Sequence, residues 1–187
     1  MSSPKLIALA SAATNEVMVG LRKDQMSLPT SCDNFDVRSL VIHMAGVFDS
    51  SAKAARKIQA APPVQPEDLL GEHPGSALKN LSAKMASAWD TPDSFEGRTF
   101  FGTREMSAYM AGNISFFETL IHTWDLATAT GQTLDLPEDL AEAALIAAQR
   151  ICGDRAREVG AFGPEVLAPP DANRFERALA LSGRNPR

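Results

Sequence analysis

Apolar residues return every three or four positions through several stretches of this chain, and that spacing predicts helices. Leu6, Leu9, Ala10, Ala13, Val17 and Leu21 form one such stripe behind Pro4, a residue suited to a first helical turn, so a first helix is expected over about 3–22. Asp36 is placed to cap a second helix, with Val37, Leu40, Val41, Met44, Val47 and Phe48 on its apolar face and an end near Gln59. The proline cluster Pro62, Pro63 and Pro66 interrupts helix formation, and a turn is expected from Glu67 to Leu70. Leu78, Leu81, Met85, Ala88 and Trp89 mark a third helix. Residues 92–104 read as irregular, with extended pieces around Arg98 to Phe101. Met106, Met110, Ile114, Phe117, Ile121 and Trp124 mark a fourth helix that fades near Gly131. Pro137 is expected in the first turn of a fifth, lined by Ala141, Ala144, Leu145, Ala148 and Ile151. A loop over 160–170 and a short helix from about Ala172 to Leu181 close the chain.

Four substantial helices with additions predict an all-α bundle. The composition agrees: alanine and leucine abound while aromatic residues make up 6%. The 187 residues suffice for a single domain, 1–187, and neither repeats nor an interdomain linker divide them. Net charge is −5 with scattered basic residues, which excludes the clustered basic face a nucleic-acid partner needs. No run approaches the roughly 20 apolar residues of a membrane span, and the N-terminus lacks a secretory pattern, so a cytoplasmic protein is expected. Two distant cysteines, Cys32 and Cys152, make no disulfide framework.

The candidate chemistry lies on helix four. Glu118 and His122 are four apart, so they project from one face. At about 100° per residue from Phe117, Glu118 falls at about 100° and His122 at about 140°, on the shoulder of the apolar stripe. The small residues Ser107, Ala111 and Ala129 share that sector with Asp125. His43 takes a parallel position on helix two, about 100° from Met44 and beside Ser39, Gly46 and Ser50. Such residues fit three ligands of a divalent ion, and they fit equally a solvated shoulder or an internal hydrogen bond. His73 reads as a surface loop residue. Cys32 precedes a helix N-terminus, where a thiol pKa is lowered, or is simply buried in its loop.

Three stretches carry a family resemblance. They are Pro29 to His43 (PTSCDNFDVRSLVIH), Glu118 to Gly131 (ETLIHTWDLATATG), and the pair Phe162 to Val166 (FGPEV) and Leu181 to Pro186 (LSGRNP). The chain resembles the DinB/YfiT-like metalloenzymes, in the branch similar to the N-terminal domain of mycothiol-dependent maleylpyruvate isomerase. The resemblance implies an up-down-down-up four-helix bundle with additional C-terminal helices. It implies one divalent ion on His43, Glu118 and His122, with zinc first and nickel, iron or manganese after it. Asp125 is then placed to steady a ligating imidazole, and the nucleophile is a metal-bound water or thiol. A mycothiol-type or bacillithiol-type thiol and an electrophile are the implied partners, for transfer or isomerisation. A metal-binding module without catalysis is the other reading. Bundles of this kind often pair through a helix face, which leaves a homodimer open beside a monomer. Phe35 stands where the family usually has Trp, and Ser31 where it commonly has Pro. The isomerase also has a larger C-terminal domain than this chain provides, so its specific reaction does not carry over.

Overall fold

The computed structural model describes residues 3–32, 35–59, 67 and 73–186. The expected proline break at 62–66 and most of the turn at 67–70 lie outside the described residues. By internal contacts the chain divides into two compact units, Ser2–Leu134 and Asp135–Arg187 with Met1.

The first unit holds α1 (Pro4–Val19), a 3₁₀ turn (Lys23–Gln25), α2 (Val37–Ala55), α3 (Pro74–Trp89), β1 (Arg98–Phe101), β2 (Arg104–Ser107) and α4 (Ala108–Ala129). Ser3 caps α1 by accepting from the Leu6 amide, and Asp36 caps α2 by accepting from Ser39 at 2.8 Å. Helices α1 and α2 each pack against both α3 and α4. Their directions follow from the paired residues. His43 meets His122 and Ser51 meets Ser115, so α2 runs against α4. Ser11 meets Ser82 and Met18 lies against Gly75, so α1 runs against α3. Thr14 meets Thr123, and Gln132 just past α4 reaches the Val17 carbonyl, so α1 and α4 run together. That is the up-down-down-up bundle.

Helix α2 stops at Ala55 rather than near Gln59, and the cause is local. Lys57 adopts φ 57°, its amide bonds to Ala54 O at 3.1 Å, and the Ile58 amide bonds to Lys53 O at 3.0 Å. This double closure caps the carbonyl end without a glycine. Helix α4 closes in the same way at Gly131, whose φ is 70°. Helix α1 ends three residues early, where Gln132 Nε2 donates to Val17 O at 3.1 Å. The extended pieces expected near Arg98 form a two-stranded antiparallel hairpin pairing Arg98 with Ser107 and Phe101 with Arg104. Met106 therefore belongs to β2, not to the fourth helix. Thr99 Oγ1 donates to Ala54 O at 2.6 Å and ties the hairpin to the end of α2.

Helix α4 departs from the expected stripe. Met110, Ile114 and Trp124 are only half-buried, whereas Ser115, Thr119 and Thr123 are buried. Each of these three hydroxyls donates to the carbonyl four residues back, which satisfies it without water. Further bonds cross to α1 at Thr14 and to α2 at Ser51, so polar side chains occupy the inner face of α4. Phe117 and Ile121 of the expected stripe are buried, and the buried surface of this helix extends past them to its polar side. Trp124 is not the core residue that its spacing suggests.

The second unit holds α5 (Glu138–Ile151), α6 (Asp154–Glu158) and α7 (Arg174–Leu181), with α5 packed on α7. Pro137 is the cap residue of α5, one position earlier than expected. Asn173 and Glu176 cap α7 reciprocally. Among the described residues no helix is long and apolar enough to cross a membrane.

Gly112 lets Phe95 reach the surface of α4: a Cβ there would lie 2.4 Å from the Phe95 ring, itself 4.7 Å from Trp89. Alanine for glycine in a helix ordinarily gains about 0.5–1 kcal/mol. Here the overlap reverses the sign, and Gly112→Ala is expected to cost about 1–3 kcal/mol. Urea denaturation measures it, and a stabilised variant would contradict the close packing.

Candidate metal centre

His43 comes from the second turn of α2, and Glu118 and His122 come from successive turns of α4. Because α2 runs against α4, the three side chains meet. His43 Nε2 lies 3.1 Å from His122 Nε2 and 3.8 Å from Glu118 Oε2, and His122 Nε2 lies 3.3 Å from Glu118 Oε2. The point equidistant from these atoms in their plane is about 2.0 Å from each. Zinc bonds imidazole nitrogen and carboxylate oxygen at about 2.0–2.2 Å. The triangle thus matches the span of three donors around one small dication.

The surroundings fix each donor. Asp125, fully buried, accepts from His122 Nδ1 at 3.0 Å. That bond holds the neutral imidazole in the tautomer whose Nε2 lone pair faces Glu118 and His43. Asp125 therefore faces the site and not solvent. The ring of Phe35 lies against His43, with centroids 5.2 Å apart. Phe35, at the position where the family usually has Trp, thus packs on a candidate ligand. The sulfur of Cys32 joins ligand atoms of His122 and Asp125 within a 4.8 Å group, so this half-buried thiol sits behind His122. His73 precedes α3 as an exposed cap residue and joins neither group of candidate ligands.

Exposure grades across the triangle. The His43 side chain is 36% exposed, Glu118 17% and His122 6%, so the centre opens on the His43 side. Burial alone would raise the pKa of Glu118. Hydrogen bonds from His122 and His43, with their charge, outweigh it and hold the carboxyl at about 2. Burial likewise pushes His122 down, but Asp125 and Glu118 on its two nitrogens outweigh that and raise it above the usual range. The site therefore stabilises positive charge at the point where the three donors converge.

A sequence model described as the mycothiol maleylpyruvate isomerase N-terminal domain matches residues 7–127. The chain belongs to this family. The matched segment contains all three donors of the triangle and the Asp125 behind them. Two proteins of Mycobacterium tuberculosis, one from strain CDC 1551 / Oshkosh and one from strain ATCC 25618 / H37Rv, are each 28% identical over 179 residues. The alignments span 91% of this chain and 91% of each relative, and both relatives are described as uncharacterised. Among solved structures, the mycothiol-dependent maleylpyruvate isomerase superposes with a TM-score of 0.61 at 16% identity. That match covers 91% of this chain and 76% of the isomerase. A histidine-to-alanine mutant of that isomerase gives a TM-score of 0.60 with the same coverage. The mycothiol maleylpyruvate isomerase N-terminal domain family thus supplies the fold on which these side chains meet.

Without metal, the network has a defined pH signature. Glu118, depressed from 4.5 to about 2, adds stability that is present above 4.5 and lost as pH falls toward 2. His122, raised above 6.5, adds stability that is present below 6.5 and lost as pH rises through its folded value. Denaturant midpoints of chelator-treated protein should peak between pH 4.5 and 6.5, with the alkaline decline missing in His122→Gln. A midpoint climbing steadily from neutral to alkaline pH would contradict this network.

Proposed function

We propose that the chain holds one divalent ion on His43, Glu118 and His122 and uses it to activate a low-molecular-weight thiol for transfer or isomerisation. The observation that carries the reading is the convergence of three lone-pair atoms at 3.1–3.8 Å from one another in a largely buried setting. Two imidazole nitrogens and a carboxylate oxygen at that spacing repel unless protons or a metal cation lie between them, and one dication satisfies all three at once. Charge supports a dication: Glu118 and the buried Asp125 carry two negative charges beside the two imidazoles. Zinc suits the donor set first, and nickel, iron and manganese also accept it.

Bound at this point, a dication supplies Lewis acidity that lowers the pKa of a coordinated water or thiol. The chain's own residues do the rest. Asp125 keeps the proton of His122 on Nδ1, so Nε2 stays free to ligate. Phe35 restricts the ring of His43 on the more exposed side, where a thiol would enter. Family membership and the likeness in fold to a mycothiol-dependent isomerase support a mycothiol-type thiol as co-substrate and an electrophile as its partner.

Protein produced without a histidine tag is expected to carry about one divalent ion per chain by elemental analysis, and His122→Ala close to none. Asp125→Asn should keep the fold and weaken the metal by about 10- to 100-fold. Full metal retention in His122→Ala would overturn the ligand set.

Turnover is a separate test. Metal-loaded protein incubated with mycothiol and a panel of electrophiles should consume thiol faster than the metal-free control. Equal rates would assign a metal-binding module without catalysis.

A further inference from the structure

A second cluster of donors lies behind the His122 ring. Cys32 Sγ, a ring nitrogen of His122 and a carboxylate oxygen of Asp125 all fall within 4.8 Å of one another. The cluster shares only the imidazole with the triangle. Nε2 faces His43 and Glu118, whereas Nδ1 lies 3.0 Å from Asp125 Oδ2. Short bonds fix the backbone that carries the thiol. The Cys32 amide donates to Thr30 Oγ1 at 3.2 Å, that hydroxyl donates to Phe35 O at 2.8 Å, and the Phe35 amide donates to Cys32 O at 3.0 Å. Pro29 and Asp36 pair across the base of the same loop.

We propose that Cys32 Sγ, His122 Nδ1 and Asp125 form a second cation position, selective for a soft, thiophilic dication of the cadmium or mercury class. The 3.0 Å from Nδ1 to Oδ2 is close to the 3.1–3.8 Å that separates the donors of the triangle. The looser limit on the cluster as a whole suits sulfur, whose bonds to a metal are longer than those of nitrogen or oxygen. Charge fits as well: a thiolate and a carboxylate together neutralise a dication. Asp125 is fully buried, His122 nearly so and Cys32 half-buried, so an ion reaches this position past the thiol.

Selectivity follows from the donors. The triangle has no sulfur, and thiolate is the donor that soft ions prefer. Ligation through Nδ1 also replaces the hydrogen bond from His122 to Asp125, which the triangle preserves. An ion with a strong bond to sulfur offsets that loss, and one content with nitrogen and oxygen stays on the triangle. The protons balance. The dication bonds the Cys32 sulfur and His122 Nδ1, the thiol proton leaves to solvent, and the ring proton passes to Nε2 beside Glu118. With Nε2 protonated the triangle lacks a donor, so the two positions compete for one ring.

Titration of the metal-free full chain with cadmium chloride tests the assignment. Sulfur-to-cadmium charge-transfer absorption in the near ultraviolet should rise and saturate at about one ion per chain. The band should vanish in Cys32→Ser and persist in Cys152→Ser, with helical content unchanged in both. It should also persist in His43→Ala, which removes a donor from the triangle alone, so this result is independent of the triangle's own fate. Absence of the band, its survival in Cys32→Ser, or its loss in a folded His43→Ala would each overturn the proposal.

Discussion

The structure turns on one electrostatic constraint: three lone-pair atoms from two helices point at one space within a helical core. His43 Nε2, His122 Nε2 and Glu118 Oε2 sit 3.1–3.8 Å apart, and the fully buried Asp125 backs His122. Such a group is costly inside a protein unless positive charge occupies the convergence point. Protons serve in the metal-free chain, which is why His122 is raised and Glu118 lowered. In the reading favoured here, a dication displaces those protons, and affinity for it grows with pH.

The bundle around the site holds α2 and α4 in the antiparallel register that this meeting requires. Ser51 and Ser115 bond across the two helices at 2.6 Å, and Trp89 Nε1 donates to the same Ser51. Thr14 and Thr123 tie α1 to α4 one residue from His122. Each of these contacts is short, directional and buried, so a shift of register would break several at once. Polar groups in the core therefore locate the ligands, while the aliphatic and aromatic residues supply the general drive to bury surface.

Most of the helical plan could be read from apolar spacing, because α2, α3 and α5 bury one continuous face. Helix α4 could be read only in part. Phe117 and Ile121 of its stripe are buried, but its inner face also carries Ser115, Thr119 and Thr123, whose hydroxyls are satisfied by their own backbone and leave no hydropathy signal. The early stop of α2 was hidden for a different reason: Lys57 takes the left-handed conformation that glycine usually signals. Short elements escaped too, since α6 has five residues and buries none of them. At the site, the i,i+4 pair and the parallel placement of His43 were visible in the sequence. The packing of Phe35 on His43 depends on tertiary approach, which spacing alone leaves open, whereas the bond from His122 to Asp125 is local to α4, across three residues.

X-ray absorption at the edge of the bound metal tests the three-ligand centre most directly, because it counts donors by element. The protein alone should show only nitrogen and oxygen neighbours at about 2.0–2.2 Å, with the outer-shell scattering of two imidazoles. Adding thiol should bring in one sulfur at about 2.3 Å. A sulfur neighbour in the protein before any thiol is added would mean that Cys32, grouped with His122 and Asp125, holds the ion instead. That result would contradict the assignment to His43, Glu118 and His122.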